Sequence, residues 1–350
     1  MHRKALRAVV AATAVMLLAP AAESRPSAVP QLSRRALPLH GVPLRGPTGL
    51  RLLVADAPAP FVLDVDRGTV QRISGLPTDG ERGVTVAPLG KDALVLSSRF
   101  CDRCRGSTAY LVRHGRTAAI RLGAVLDAVP AVYGRGVWIR TRGRAGRCTI
   151  RELPLEGRRP RAARQVSCRT GLVAELPAGL LVTYTGPLGR DAHSALLRPG
   201  GRIVRFRDPS AQPVFGNLVL SGADRRTPLL LHDMSSGVNR RLHWPGRPGY
   251  GLGIATGQPN GRLATVDFAK YSPTHRFDLW VLDTATRRWR HLPDMPAHVA
   301  PKATDVEWTA DGRVVILATD VLGVWRPGEA RLAVRRVKPP KQPGIKFVIW

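Results

Sequence analysis

Apolar and polar residues alternate with a period of two along most of the chain, and this pattern predicts β-strands. The clearest example is DLWVLDTATRRWRHLP at Asp278 to Pro293, where two alternating runs flank the turn Thr284 to Thr286. Two such runs joined by a short turn predict a β-hairpin. Helical periodicity is almost absent after residue 47, so the sequence predicts an all-β fold.

The same unit recurs seven times. Each copy begins with an apolar strand, and these strands are Arg51 to Ala55, Ala93 to Ser97, Gly136 to Thr141, Leu180 to Thr185, Leu218 to Ser221, Leu263 to Asp267 and Val314 to Thr319. A strand-turn-strand segment follows each of them, and a short strand such as Val84 to Val86 or Asp305 to Ala310 precedes it. The copies recur at intervals of 39 to 51 residues, which is typical of a four-stranded propeller blade.

The hairpins DLWVLDTATRRWRHLP and FVLDVDRGTVQRIS are the motifs on which a family resemblance rests. The chain resembles a seven-bladed β-propeller of the broad WD40, YVTN and TolB-like superfamily. The resemblance implies seven four-stranded antiparallel blades over nearly the whole chain. Its motifs belong to the architecture and imply no single activity.

The predicted domain plan has four parts. Residues 1–21 are a signal peptide, residues 22–47 a Pro- and Arg-rich linker with a short strand near Leu37 to Val42, and residues 48–338 the propeller. Residues 339–350 form a Pro-rich linker and a closing strand, Ile345 to Trp350. A propeller must pair its first and last blades to avoid an exposed strand edge. We therefore expect the closing strand to pair into blade 1.

The amino terminus combines a basic start with the apolar run Ala8 to Leu18 and small residues, the pattern of a secretory signal with cleavage near Ala21 or Ala22. An uncleaved anchor is the alternative. The run is too short to span a bilayer comfortably, so we expect a secreted protein with no membrane span after signal removal. We also expect the protein to be a monomer.

The formal charge of +29 comes from 54 basic residues, of which 47 are Arg, against 25 acidic residues. Such an excess attracts polyanions at low salt. However, Arg, Ala, Gly and Pro are together the residues that GC-rich codons favour, so the charge alone identifies no specific ligand.

Long loops after the apolar strands carry basic and aromatic residues, which we predict as a ligand-binding face: Arg99, Arg103, Arg105, Arg142, Arg144, Arg147, Arg190, Lys270, Tyr271, His275 and Arg276. Arg forks suit carboxylate and phosphate groups. The preferred function is a noncatalytic scaffold that binds a protein or an anionic envelope polymer, and nucleic acid is a less favoured partner. The alternative is that these Arg residues only fill solvated loops.

A second function from another class is a hydrolase or lyase that acts on a carbohydrate or lactone in the central funnel. Its candidate carboxylates are Asp56, Asp267 and Asp320, each of which follows an apolar strand. Turn formation is the competing role for such Asp residues. The sequence predicts no cofactor and no metal site, since the spacing of its His residues suits neither.

The four cysteines suggest two disulfides in a secreted chain. Cys148 opens one predicted strand and Cys168 ends the next, which places them opposite each other across a hairpin. Cys101 and Cys104 then form a small ring within one loop. No βαβ pattern surrounds them, which disfavours a thioredoxin-like role.

Overall fold

The structure is a computed structural model, and it describes residues 39–55, 60–77, 82–99, 106–144, 146–155, 161, 163–186, 192–206, 208, 210–222, 227–245, 251–259, 261–269, 276–298, 304–318, 320–337 and 346–350. Within these ranges the secondary structure is β-strand apart from one 3-10 turn at Val132–Gly134. The segments with the alternating pattern thus form β-sheet almost throughout.

The strands, in chain order, are β1 (Val42–Pro43), β2 (Arg51–Ala55), β3 (Phe61–Asp64), β4 (Thr69–Arg72), β5 (Arg82–Leu89), β6 (Asp92–Arg99), β7 (Ser107–Val112), β8 (Ala119–Val125), β9 (Asp127–Pro130), β10 (Gly136–Arg142), β11 (Arg147–Pro154), β12 (Arg164–Ser167), β13 (Thr170–Leu176), β14 (Gly179–Tyr184), β15 (His193–Leu197), β16 (Ile203–Phe206), β17 (Gln212–Phe215), β18 (Leu218–Ser221), β19 (Leu229–Asp233), β20 (Asn239–Leu242), β21 (Gly251–Gly257), β22 (Leu263–Ala269), β23 (Arg276–Phe277), β24 (Leu279–Asp283), β25 (Arg288–His291), β26 (Ala297–His298), β27 (Thr304–Trp308), β28 (Val314–Ala318), β29 (Val321–Trp325), β30 (Ala333–Arg336) and β31 (Lys346–Ile349).

These strands form seven antiparallel blades in a ring, which confirms the predicted seven-bladed propeller. From the inner to the outer strand, the blades are β31-β2-β3-β4, β5 to β8, β9 to β12, β13 to β16, β17 to β20, β21-β22-β24-β25 and β27 to β30. We number them blade 1 to blade 7 in that order. Each apolar marker strand of the sequence is the second strand of its blade, and Asp278 to Pro293 contributes the outer half of blade 6.

Both ends of the described chain close the ring. Strand β31 pairs antiparallel with β2, with Val348 opposite Leu53, and supplies the inner strand of blade 1. This confirms the predicted closing strand. Strand β1, which overlaps the short strand predicted near Leu37 to Val42 at Val42 only, pairs parallel with β30 as a fifth strand on blade 7. At this seam, β31 thus pairs the inner edge of β2, and β1 pairs the outer edge of β30.

The core lies between blades. Successive side chains of a strand point to opposite faces of its sheet, so one strand serves two interfaces. Leu52 and Phe347 pack towards blade 7, whereas the neighbouring Leu53 and Val348 pack towards blade 2. Burying one such side chain contributes roughly 1.5–3 kcal/mol, and the seven interfaces repeat this pattern around the ring.

The blades present two different faces. The turns that join first to second strands and third to fourth strands lie together on one side, which we call the hairpin face. Loops that join second to third strands, and the connections between blades, lie on the other side, which we call the loop face. The start of every inner strand is therefore close to the loop face.

Cys148 on β11 and Cys168 just after β12 form a disulfide, with Cα atoms 4.8 Å apart. This confirms the predicted pairing across the outer hairpin of blade 3. Cys101 and Cys104 lie outside the described residues.

Candidate functional site

The inner strands of the seven blades surround the axis of the ring, and several of their side chains remain accessible there. Those with partial or full exposure include Thr85, Gln212, Ile254, Thr256, Glu307 and Lys346. A propeller axis is a channel lined by its inner strands. Accessible polar side chains on these strands therefore define the walls of the central opening.

Glu307 and Asp305 form an acidic pair on β27, the inner strand of blade 7. They lie two residues apart on the same face of the strand, so their Cα atoms are roughly 7 Å apart. Asp305 is buried, and its Oδ2 accepts a hydrogen bond from the main-chain N–H of Phe347 at 3.0 Å. Glu307 is half-buried and lies on the inner strand of the blade, beside the channel.

The two carboxyls differ in their protonation. Burial, reinforced by the negative charge of Asp305, raises the pKa of Glu307 to about 8, although Lys346 opposes the rise. Burial also raises the pKa of Asp305, against the opposing effects of Lys346 and the Phe347 N–H. Because the charge on Asp305 acts on Glu307, Asp305 ionises first. At neutral pH Glu307 is therefore mainly a neutral carboxylic acid.

Neighbouring side chains from blade 6 fix this pair in place. The Thr256 hydroxyl donates to Oε2 of Glu307 at 3.4 Å. The indole N–H of Trp308 donates to the Thr256 carbonyl and to the Thr265 hydroxyl, each at 3.1 Å. Trp308 itself is buried between blades 6 and 7. Residues of blades 6, 7 and 1 therefore hold the acidic pair in position.

A second carboxylate near the loop face, Asp127 on β9, plays a structural part. Its Oδ2 accepts the main-chain N–H of Leu172 at 2.6 Å and lies 3.8 Å from Arg140. Burial raises the pKa of Asp127, and the Leu172 N–H and Arg140 oppose the rise. Arg140 also donates to the carbonyl of Cys168 at 2.7 Å. These contacts join blade 3 to blade 4.

The three carboxylates predicted for catalysis have unlike surroundings. Asp56 lies outside the described residues. Asp267 is buried on β22, and burial, with the charge of Asp278, raises its pKa to about 7 although the Asp278 N–H opposes this. Asp320 is exposed in the turn after β28. Within the described residues Asp267 and Asp320 share no hydrogen bond or common partner.

Asp267 belongs to a separate polar cluster in blade 6. Oδ1 of the neighbouring Asp278 accepts a hydrogen bond from Nε2 of His291 at 2.6 Å, and its Oδ2 accepts from Nε1 of Trp280 at 3.1 Å. Trp280 stacks on His291 with ring centroids 4.5 Å apart. Asp278 is thus occupied by its own partners, and the cluster lies among the outer strands of the blade.

Only part of the predicted basic face is described. Arg142, Arg144 and Arg147 are exposed around the turn between β10 and β11. Arg147 donates to Oε1 of Gln165 at 3.0 Å, and the other two have no ion-pair partner in the part of the chain that the structure describes. Arg103, Arg105, Arg190, Lys270, Tyr271 and His275 lie outside the described residues, as do the side chains of Arg99 and Arg276.

In the described residues, no group of three or more His, Cys, Asp or Glu side chains is arranged to hold a metal ion. None of the described helical segments is long and apolar enough to cross a membrane.

Comparisons with known proteins identify the fold alone. No protein-family model matches the sequence, and no curated protein matches it. Among solved structures, the periplasmic gluconolactonase of Pseudomonas aeruginosa is similar, with a TM-score of 0.54 at 14% identity over 85% of this chain and 99% of that one. The β-propeller domain of the trilobed protease from Pyrococcus furiosus has a TM-score of 0.53 at 10% identity, over 87% and 99% of the two chains.

A third similar structure is the acylaminoacyl peptidase of Pyrococcus horikoshii, with a TM-score of 0.53 at 11% identity. The match covers 86% of this chain and 52% of the peptidase. All three identities are low, so these likenesses confirm the propeller and assign no activity.

Proposed function

We propose that the protein is a hydrolase that opens a lactone, such as that of a sugar acid, in the central opening of the propeller. The observation that carries the proposal is Glu307, a half-buried glutamic acid on an inner strand whose pKa of about 8 keeps it neutral at pH 7. A group with a pKa near the working pH is best suited to proton transfer. The fold is shared with a periplasmic gluconolactonase, which is consistent with this choice.

In the proposed reaction, water adds to the lactone carbonyl carbon and the bond from that carbon to the ring oxygen breaks. The neutral Glu307 carboxyl donates its proton to the departing ring oxygen. Glu307 then recovers a proton from the added water, so the products are the free hydroxy acid and unchanged enzyme. Asp305 acts as a positioning residue, because its charge adds to the effect of burial in raising the pKa of Glu307. Lys346, exposed at the start of β31, supplies a cation near the developing oxyanion.

The test is a proton-release assay with glucono-δ-lactone and with five-membered and six-membered lactones lacking hydroxyls, corrected for spontaneous hydrolysis. Glu307→Gln should reduce the enzymatic rate by about 10²–10⁴-fold, the usual contribution of a general acid. In the native protein the rate should fall as the pH rises through about 8, the pKa of Glu307.

Glu329→Gln is the matched control, since Glu329 lies in an exposed turn on the same blade and accepts the N–H of Arg326. It should leave the rate unchanged. Absence of any rate above the spontaneous one with all of these lactones, or full activity of Glu307→Gln, would overturn the proposal.

A second candidate function rests on the exposed Arg142 and Arg144, which have no ion-pair partner among the described residues. We propose that a secreted form of the protein holds an anionic envelope polymer or an acidic protein against this part of the loop face. Arginine forks form paired hydrogen bonds with carboxylates and phosphates. The disulfide between Cys148 and Cys168 is compatible with an oxidising compartment.

The test compares two triple variants with the same change of charge on a heparin column. Arg142→Glu, Arg144→Glu and Arg147→Glu should lower the salt concentration needed for elution. The control changes Arg240, Arg241 and Arg288, which are exposed on outer strands, and should lower it less. Equal elution of the two variants would count against a specific basic face. Sequencing the exported protein tests cleavage near Ala21 or Ala22.

A further inference from the structure

A pocket between blades 4 and 5 lies away from the central opening. Its volume is about 540 Å³, a size typical of sites for small molecules. Its walls come from the outer strand of blade 4 and from the second to fourth strands of blade 5. They include Phe206, Ser221, Leu230, His232, Met234 and Asn239. The pocket therefore combines apolar walls with a small set of polar side chains.

The polar side chains form a hydrogen-bonded chain across three strands of blade 5. Nε2 of His232 lies 2.7 Å from Oγ of Ser221, and Nδ1 of His232 lies 2.7 Å from Oδ1 of Asn239. Ser221 is on β18, His232 on β19 and Asn239 on β20. The antiparallel register places Val219 opposite His232, so Ser221 reaches His232 diagonally on the same sheet face.

The chemistry of these groups fixes the direction of the hydrogen bonds. The amide oxygen of Asn239 can only accept, so Nδ1 of His232 carries the proton. In a neutral imidazole Nε2 is then a free acceptor, and the Ser221 hydroxyl donates to it. A serine hydroxyl that donates to an imidazole, itself oriented by a third group, is the arrangement of an activated nucleophile.

We propose that Ser221 is a nucleophile for esters with a short acyl chain, with His232 as its general base and Asn239 as a positioning residue. Phe206, Leu230 and Met234 provide the apolar surface for the acyl chain. Ser221 and His232 expose only 4% and 6% of their surfaces, which restricts the acyl group to a few carbons. This site is independent of the proposed lactone site.

The reaction conserves its atoms and protons. Oγ of Ser221 attacks the ester carbonyl carbon while its proton passes to Nε2 of His232. The tetrahedral intermediate expels the alcohol, which takes the proton from Nε2, and an acyl-serine remains. Water then attacks the acyl carbon, gives a proton to Nε2, and the acid leaves as the Ser221 hydroxyl regains that proton.

The environment keeps His232 in the form that the base requires. Burial lowers the pKa of His232, although Asn239 and the charge of Asp208 oppose the shift. The imidazole is therefore neutral at pH 7. Among the residues that the structure describes, the other charged groups that line the pocket are Arg198 and Arg205. Phe206 meets the imidazole edge-on, with ring centroids 5.1 Å apart, and holds the ring orientation.

The test treats the full chain with a fluorophosphonate probe and with p-nitrophenyl acetate, and locates the modified residue by peptide mass mapping. Ser221 should be phosphonylated, and Ser221→Ala should lose both labelling and ester cleavage. His232→Gln should slow labelling by at least about 100-fold, since the nucleophile depends on its base. Thermal unfolding shows whether each variant is folded.

Two further variants distinguish catalysis from a purely structural hydrogen-bond chain. Ser194→Ala, at a buried serine on blade 4, should leave labelling unchanged. Asn239→Asp should move the pH profile of labelling to higher pH, because a carboxylate stabilises the imidazolium. No modification of Ser221 in the folded native protein, or equal labelling of folded His232→Gln, would overturn the proposal.

Discussion

The main-chain N–H of Phe347 donates a hydrogen bond of 3.0 Å to Oδ2 of Asp305. Phe347 lies on the strand that closes blade 1, and Asp305 lies on the inner strand of blade 7. One bond thus links the closure of the ring to the acidic pair in the central opening. Any change that displaces the closing strand should also alter the protonation of Glu307.

Truncation before Ile345 should lower the thermal midpoint clearly. It removes the ladder between β31 and β2 and leaves the buried Asp305 without the Phe347 N–H. Phe347→Ala should reduce the free energy of unfolding by about 3–5 kcal/mol, the usual cost of emptying a buried aromatic site. Arg72→Ala, on the exposed outer strand of the same blade, is the control for urea denaturation. An unchanged midpoint after truncation would contradict this account of closure.

Stability should fall as the pH rises from about 5 to 9. The pKa of Glu307 is about 8 in the folded protein and 4.5 ordinarily, and that of Asp267 is about 7 against 3.8. The folded state therefore binds more protons than the unfolded state in this range, and the free energy of unfolding decreases with pH. Urea midpoints measured at pH 5, 7 and 9 test this directly.

Glu307→Gln and Asp267→Asn should each flatten this pH dependence, because each variant stays neutral throughout. Both should resemble the native protein at pH 5 and exceed its stability at pH 9. Glu329→Gln should keep the native slope. The same slope in all of these proteins would show that neither buried carboxyl governs the pH dependence.

Arg161 holds two buried carboxylates on the hairpin face. Its guanidinium donates to Glu152 at 2.7 and 2.9 Å and also to Glu175, and it lies 4.9 Å from the ring centroid of Trp138. Arg161→Ala should destabilise the protein by about 3–5 kcal/mol, because it leaves buried charge unpaired. Arg151→Ala, at an exposed neighbour, should have little effect in the same denaturation experiment. Similar values for both variants would refute the bridging role.

Reduction of the disulfide between Cys148 and Cys168 should destabilise the protein by about 3 kcal/mol, the value expected for closing a loop of this order. The two cysteines are 20 residues apart. The variant with Cys148→Ser and Cys168→Ser should show this loss without a reductant, and added reductant should not change its midpoint further. Equal midpoints of the variant and the oxidised native protein would disprove a stabilising role.

The sequence predicted the blades well because their determinants are local. Continuous apolar runs such as Val314 to Thr319, together with the turn residues in each hairpin, specify the strands of one blade. The same pattern recurs in all seven blades. The disulfide was predictable for the same reason, since Cys148 and Cys168 flank one hairpin. The predicted closing strand needed a non-local argument, namely that a propeller cannot leave its inner edge unpaired.

The chemistry was harder to predict because it depends on closure. Asp305 and Glu307 alternate with Val306 and Trp308 in DVEW, a pattern that also suits an ordinary strand with one solvated face. Only the ring places that polar face at the axis and raises the pKa of Glu307. An alternating acidic pair on a predicted inner strand was the available signal.

The hydrogen bonds that join Ser221, His232 and Asn239 could likewise not be predicted from the sequence. The three residues come from three strands and meet only through the register of blade 5. Taken singly, each looked like an ordinary polar residue in a strand.

The closure of the ring also constrains the order in which the molecule can fold. Blade 1 receives its inner strand from the last residues of the described chain, at nearly the full sequence distance from its partner β2. Contacts of such long range form late, because the entropy of closing a long loop opposes them. During synthesis, blades 2 to 6 can assemble from neighbouring segments while the inner edge of β2 in blade 1 is still unpaired. Strand β31 must therefore be synthesised before the central opening, and the acidic pair within it, acquires its final form.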